Sequence, residues 1–166
     1  MKKLRAVFFT ALAIASAAFA QQAAAQQAAA QQAAAQEQKM AVGAGPEWNM
    51  NSGENFAGAL ALGFDCRLPT EAFAAGITVA VSYNFDKAAV LEPAAMLRYY
   101  FLGGFFAQMD IGVTVIMEDG ETTPLFLGGV RAGYRLPLGK MFYVEPYGRF
   151  GYPFMFGIGA LAGIRF

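Results

Sequence analysis

The chain has 166 residues, a formal net charge of zero and no histidine, with 57% of its residues hydrophobic and 14% charged. Balanced charge gives no attraction to nucleic acid or to an acidic surface, and without histidine there is no Ser-His-Asp triad and no histidine-rich metal site. Sixteen phenylalanines, seven tyrosines and nineteen glycines favour aromatic-rich strands over helices.

The first element, MKKLRAVFFTALAIASAAFA, joins basic Lys2, Lys3 and Arg5 to an apolar stretch from Ala6 to Ala15. It closes on the small-x-small site Ala18-Phe19-Ala20. This predicts a Sec-type signal peptide over 1–20, cut after Ala20, because the apolar stretch falls short of the ~20 residues of a bilayer helix. Gln21 to Gln38 then repeats QQAAA three times and ends QEQ. A period of five rotates the glutamines by about 140° per copy around a helix, so no apolar stripe forms. Residues 21–38 therefore read as a Gln/Ala-rich low-complexity linker, and a periplasmic spacer of this kind would reach peptidoglycan. The single cysteine, Cys66, is far from the signal, which gives neither a lipoprotein box nor an internal disulfide.

Turn signals divide 39–166 into eight strands, at about sixteen residues per strand and turn, a spacing that suits membrane strands. They are predicted at Met40–Met50, Asn55–Leu68, Phe73–Phe85, Ala88–Phe101, Phe105–Met117, Thr123–Leu138, Met141–Pro153 and Phe154–Phe166. The connectors NSGE, PTEA, DK, GG, EDGET and LGK are short. The residues alternate with period two: in the fourth strand Leu91, Pro93, Ala95, Leu97, Tyr99 and Phe101 oppose Glu92, Ala94, Met96, Arg98 and Tyr100. In the seventh, Phe142, Val144, Pro146, Phe150 and Tyr152 oppose Tyr143, Glu145, Tyr147 and Arg149. One face is apolar and the other collects charges and small residues.

A soluble barrel would put the apolar face inside, whereas a membrane barrel puts it in lipid. Three features favour lipid. Outward aromatics gather at strand ends, with Trp48, Phe56, Tyr83, Phe85, Tyr152 and Phe154 at one rim. Phe64, Tyr99, Phe101, Tyr134, Phe142 and Phe166 stand at the other, with Leu60, Leu62, Val79, Val113, Val130 and Ile158 between. The polar face has many glycines and no lysine, unlike a solvated surface. The signal peptide directs the chain to the envelope, and an open sheet edge in hydrocarbon would leave backbone groups unsatisfied, so the sheet is expected to close.

This parity sends Glu47, Asp65, Arg67, Glu92, Arg98, Asp110, Arg131, Arg135, Glu145, Arg149 and Arg165 to the interior as a lumen charge network. A mid-bilayer arginine on the lipid face would cost roughly 2–4 kcal/mol, so the six arginines belong inside. Eight strands enclose an interior that side chains can fill, and guanidinium–carboxylate pairing there predicts a mostly plugged lumen. Glu92 with Asp110 or Glu145 forms a carboxylate pair on paper, yet arginines nearby favour ion pairing over acid–base chemistry. GIGALAG, spaced G-x-G-x-x-x-G with no helix after it, is not a phosphate loop. No catalytic, cofactor-binding or metal residue is assigned, and no enzyme activity is expected.

The closing strand ends in an aromatic, with Ile158, Ala160, Ala162, Ile164 and Phe166 at alternate positions. Over Met40 to Phe166 the pattern resembles the small eight-stranded outer-membrane β-barrels, the group of the OmpA transmembrane domain and OmpX. The resemblance implies an all-β, antiparallel, up-and-down transmembrane barrel in the outer membrane of a two-membrane bacterium. It also implies that these five positions are read by the barrel-assembly machinery. Short loops and the strand prolines Pro46, Pro93 and Pro146 depart from the group, and proline in a ladder predicts bulges at all three. The expected role is that of a non-enzymatic structural or surface barrel in the lipid bilayer. Its alternatives are a narrow pore for ions or small solutes and a soluble periplasmic barrel that binds apolar ligands.

Overall fold

The computed structural model describes residues 39–51, 56–70, 72–83 and 88–166. The expected signal peptide and linker, and the turn and strand-end positions at 52–55, 71 and 84–87, including Phe85, lie outside the described residues. Elsewhere the period-two alternation becomes strand: β1 (Met40–Asn51), β2 (Phe56–Arg67), β3 (Phe73–Tyr83), β4 (Ala89–Phe101) and β5 (Phe105–Glu118). They are followed by β6 (Glu121–Tyr134), β7 (Leu136–Leu138), β8 (Phe142–Tyr152) and β9 (Phe154–Arg165). A 3₁₀ turn at Leu102–Gly104 joins β4 to β5. Neighbours pair antiparallel in the order β6-β5-β4-β3-β2-β1-β9-β8-β7, and β6 also pairs with β8, which closes the sheet. One end of the barrel, here the lower, holds Met40, Arg165 and the turns near 68–72, 102–104 and 139–141. Asn51, Tyr152 and the Asp119–Gly120 turn mark the upper end.

The single strand expected from Thr123 to Leu138 is instead two, β6 and β7, interrupted at Arg135. The cause lies across the ladder, where β6 pairs with β8 as far as Gly133↔Tyr147 and β7 resumes at Leu136↔Val144 in unchanged register. Pro146 sits in the gap, and it has no N–H to donate. The same happens at the other two prolines, so the bulges expected at Pro46, Pro93 and Pro146 are absent. Pairing skips Gly45 and Pro46 on the β9 side of β1, and Glu92 and Pro93 on the β5 side of β4, while the opposite ladders run through both prolines unbroken. Each proline costs rungs on one flank only, and a glycine lets the backbones stay close there. A Cβ added to Gly112 would strike the Pro93 carbonyl, and one on Gly133 the Pro146 carbonyl.

The register fixes the geometry of the whole barrel. Partners lead from Met40 through Cys66, Ala75, Leu97, Met109, Val130, Phe150 and Phe156 back to Met50, ten residues beyond the start. With eight staves and that stagger, strand spacing and rise give a tilt of about 41°. A strand of 12 residues, as in β1, β2 and β9, then spans about 30 Å along the axis, the thickness of a hydrocarbon core.

The outer surface is apolar. Leu60, Leu62, Ile77, Val81, Ile111, Val113, Val130 and Ile158 are exposed in the middle, with Trp48, Phe56, Tyr83 and Tyr152 exposed above and Phe64, Tyr99, Phe101, Phe142 and Phe166 below. Tyr134 is half-buried, as is Cys66. Phe154 departs from its expected outward place: it is 8% exposed and packs inside with Ala57, Val90 and Ile116. The β1–β9 register slips by one residue between Met50 and Asn51, and a one-residue slip reverses the face of every side chain beyond it. The seam itself is built of small residues, with Gly43 opposite Gly163 and Ala44 opposite Ala162. The Tyr143 ring of β8 occupies the inward space that side chains at Gly43 and Gly163 would need, and Tyr147 does so at Gly159. Beyond β9, Phe166 and Met40 exchange two backbone hydrogen bonds of 2.9 Å.

Candidate functional site

Strand alternation turns each inward side chain towards the axis, and closure brings together charges that are far apart in sequence. In the lower half, β2, β4, β8 and the break between β6 and β7 contribute a four-membered cluster. Arg98 binds Glu145 bidentately, with Nη2 donating to Oε1 at 2.8 Å and Nη1 to Oε2 at 2.9 Å. Arg135, at the break between β6 and β7, donates through Nε to Glu145 Oε2 at 2.6 Å and through Nη2 to Asp65 Oδ2 at 2.6 Å. Arg98 Nη1 lies 3.6 Å from the same Asp65 oxygen. Two guanidinium groups thus share two carboxylates in a fork geometry that suits both. Gln108 accepts from Arg98 Nε at 2.8 Å and donates to Asp110 at 2.6 Å, carrying the network upward.

Asp110 Oδ2 lies 3.3 Å from Arg131 Nε without hydrogen-bond alignment, so charge attraction alone joins them. Above, Glu47 accepts from Tyr147 at 2.6 Å, from Arg149 at 2.8 Å and from Asn49 at 2.8 Å. Arg149 also reaches Glu92 at 3.0 Å, and Thr114 donates to Glu92 at 3.2 Å. Aromatic rings cover the guanidinium faces. Arg98 lies 4.0 Å from the Phe106 centroid, Arg131 4.5 Å from Tyr147 and Arg135 4.3 Å from Tyr143, within cation–π range. At the upper end, Ala57, Val90, Phe154 and Ile116 form an apolar cap.

Nine of the eleven predicted lumen residues therefore join two linked clusters: Asp65, Arg98, Arg135 and Glu145 below, and Glu47, Glu92, Asp110, Arg131 and Arg149 above. All nine are buried. Arg67 is half-buried with its guanidinium 4.2 Å from the Tyr100 centroid, and Arg165 is buried at the lower mouth, outside the ion pairs of both clusters. Tyr100, Tyr143, Tyr147, Gln108, Asn49 and Thr114 complete the network, and only their parity marks them in the sequence. Beside Thr78, Glu92, Asp110, Arg131 and Arg149 there is a cavity of about 10 Å³, at the lower limit for one water. Outside, Ile158, Ala162, Ile164 and Phe166 are exposed along β9 and Ala160 is half-buried.

Closure, stagger, apolar exterior and charged interior together define an eight-stranded, up-and-down transmembrane β-barrel. No family model and no curated protein matches the sequence. Among solved structures, the chain is similar to the N-terminal β-barrel domain of Pseudomonas aeruginosa OprF. The identity is 10%, over 76% of this chain and 97% of that one, with a TM-score of 0.54. It is also similar to a de novo designed transmembrane β-barrel, at 11% identity over 76% of this chain and 96% of that one, with a TM-score of 0.51. At such identities the likeness is one of fold.

Proposed function

We propose that the chain is a small, non-enzymatic integral barrel of the outer membrane of a two-membrane bacterium, with a structural or surface role and a lumen closed to solutes. The observation that carries this reading is the buried guanidinium–carboxylate network, which links β1, β2, β4, β5, β6 and β8 across the lumen. A narrow pore would need a continuous aqueous path, and these ion pairs and the apolar cap stand across it. A soluble barrel would leave Leu60, Ile77, Ile111 and Val130 in water as one contiguous apolar surface. The outward residues of β9, ending at Phe166, are what the barrel-assembly machinery would read. The test is to reconstitute the mature chain in planar bilayers. Silence, or brief and small current events, is the expected record, and large, stable single-channel currents would overturn the closed-lumen reading.

A further inference from the structure

At the lower mouth Arg165 stands apart from both ion-pair clusters. Asp65 and Glu145 are shared by Arg98 and Arg135, while Glu47, Glu92 and Asp110 are shared by Arg131 and Arg149. Arg165 has no carboxylate within ion-pairing distance among the described residues, although it is only 8% exposed. Its Nη2 donates to the backbone carbonyls of Gly139 and Lys140, at 3.2 and 3.3 Å, in the turn between β7 and β8. Its Nε is buried without a hydrogen-bond partner among the described residues. Among the described residues, the lumen charges that bear on it, Arg135 and Arg67, have the same sign, and exposed Lys39 and Lys140 stand at the same end of the barrel.

A buried guanidinium with an unmet donor and like-charged neighbours is unfavourable. An anion arriving from the mouth would relieve both defects. We propose that the lower mouth is an oxyanion site, in which Arg165 binds a phosphate-type group, free or carried on a lipid headgroup, as the Gly139 and Lys140 carbonyls give way. The long carbonyl bonds are weak, whereas guanidinium–oxyanion bonds are short and charge-assisted. The planar fork of a guanidinium matches the oxygens of a phosphate-type group bidentately. Gly139, at φ 74°, allows the turn to be this tight over the guanidinium.

The test uses the folded full chain in phosphate-free maltoside micelles, with ¹H–¹⁵N spectra that read the Arg165 Nε–Hε signal and the Lys140 amide. One arm adds inorganic phosphate, a second adds phosphatidylglycerol without free phosphate, and a third adds chloride to equal ionic strength. The expected result is a saturable shift of both signals in the first or second arm and none with chloride. A response to phosphate identifies a free anion, and a response only to phosphatidylglycerol identifies a headgroup. In Arg165→Gln, read through the Lys140 amide, affinity should fall at least tenfold while the heat-dependent gel shift of the folded barrel persists. Arg165→Lys, which keeps the charge but loses the fork, serves if Arg165→Gln does not fold, and should also weaken binding. No saturable shift in either arm, a chloride response equal to that of phosphate, or wild-type affinity in the folded variant would overturn the proposal.

Discussion

Replacing Glu145 by glutamine removes one charge from the most connected carboxylate of the lower cluster and leaves its shape almost unchanged. Glu145 is completely buried and accepts three charge-assisted bonds, at 2.8 and 2.9 Å from Arg98 and 2.6 Å from Arg135. Bonds to charged groups contribute about 1 kcal/mol more than neutral ones, so three of them amount to about 3 kcal/mol. That is the lower end of the ~3–5 kcal/mol lost when a buried pair is broken, and here two arginines would be left to share Asp65. Urea unfolding from phospholipid vesicles, followed by the emission of the only tryptophan, Trp48, reads the change directly. With m-values of ~1–3 kcal/mol per molar, the midpoint should fall by at least about 1 M. Glu121→Gln, at the exposed start of β6, should move stability by no more than ~0.5 kcal/mol. Adding Arg135→Gln to Glu145→Gln should cost less than the sum of the two single changes, because they remove the same interaction. A Glu145→Gln variant as stable as Glu121→Gln, or a strictly additive double variant, would refute the network as an energetic unit.

The exterior gives a second prediction: Ile111→Arg, at the middle of the outward face of β5, should destabilise the barrel in vesicles by ~2–4 kcal/mol. A change within ~0.5 kcal/mol, seen by the same urea titration, would instead describe a water-facing surface. Gly112→Ala should cost about 1–3 kcal/mol, because the methyl group meets the Pro93 carbonyl where the ladder is already interrupted. Gly58→Ala in β2 is the matched control, since a methyl there meets nothing within 4 Å, and it should fold with wild-type stability. Phe154→Ala should destabilise by about 3–5 kcal/mol as a buried aromatic, whereas a girdle residue in lipid would lose much less.

Face assignment was legible because strand parity is binary and the penalty for error is large. Six arginines separated by apolar neighbours have only one orientation that keeps them out of hydrocarbon. Partner choice was not legible. Asp65 meets Arg135, 70 positions away, because the stagger of the closed barrel sets their heights, and stagger belongs to the circuit of pairings rather than to any segment. Phe154 was missed because the one-residue slip between Met50 and Asn51 has no residue signature. The prolines give no bulge for a simpler reason: a missing donor predicts a defect without saying which defect. Close-packed glycines allow an interrupted ladder to keep its register, so no bulge forms. Tyr100, Tyr143 and Tyr147 share the parity of the arginines, but tyrosine also suits a membrane interface, so composition alone left their role open.

The glycine seam between β1 and β9 bears on the order in which the barrel can be completed. This pairing joins the segments farthest apart along the sheet-forming chain, and such contacts carry the largest loop-closure cost. The rings of Tyr143 and Tyr147 come from β8, a third strand, and lie across the seam like a latch. If β8 docks on β9 first, β1 meets a surface already shaped to receive it. A side chain added at Gly43 or Gly163 would therefore block the final closure while leaving the hairpins before it intact, trapping an open sheet instead of weakening a finished barrel.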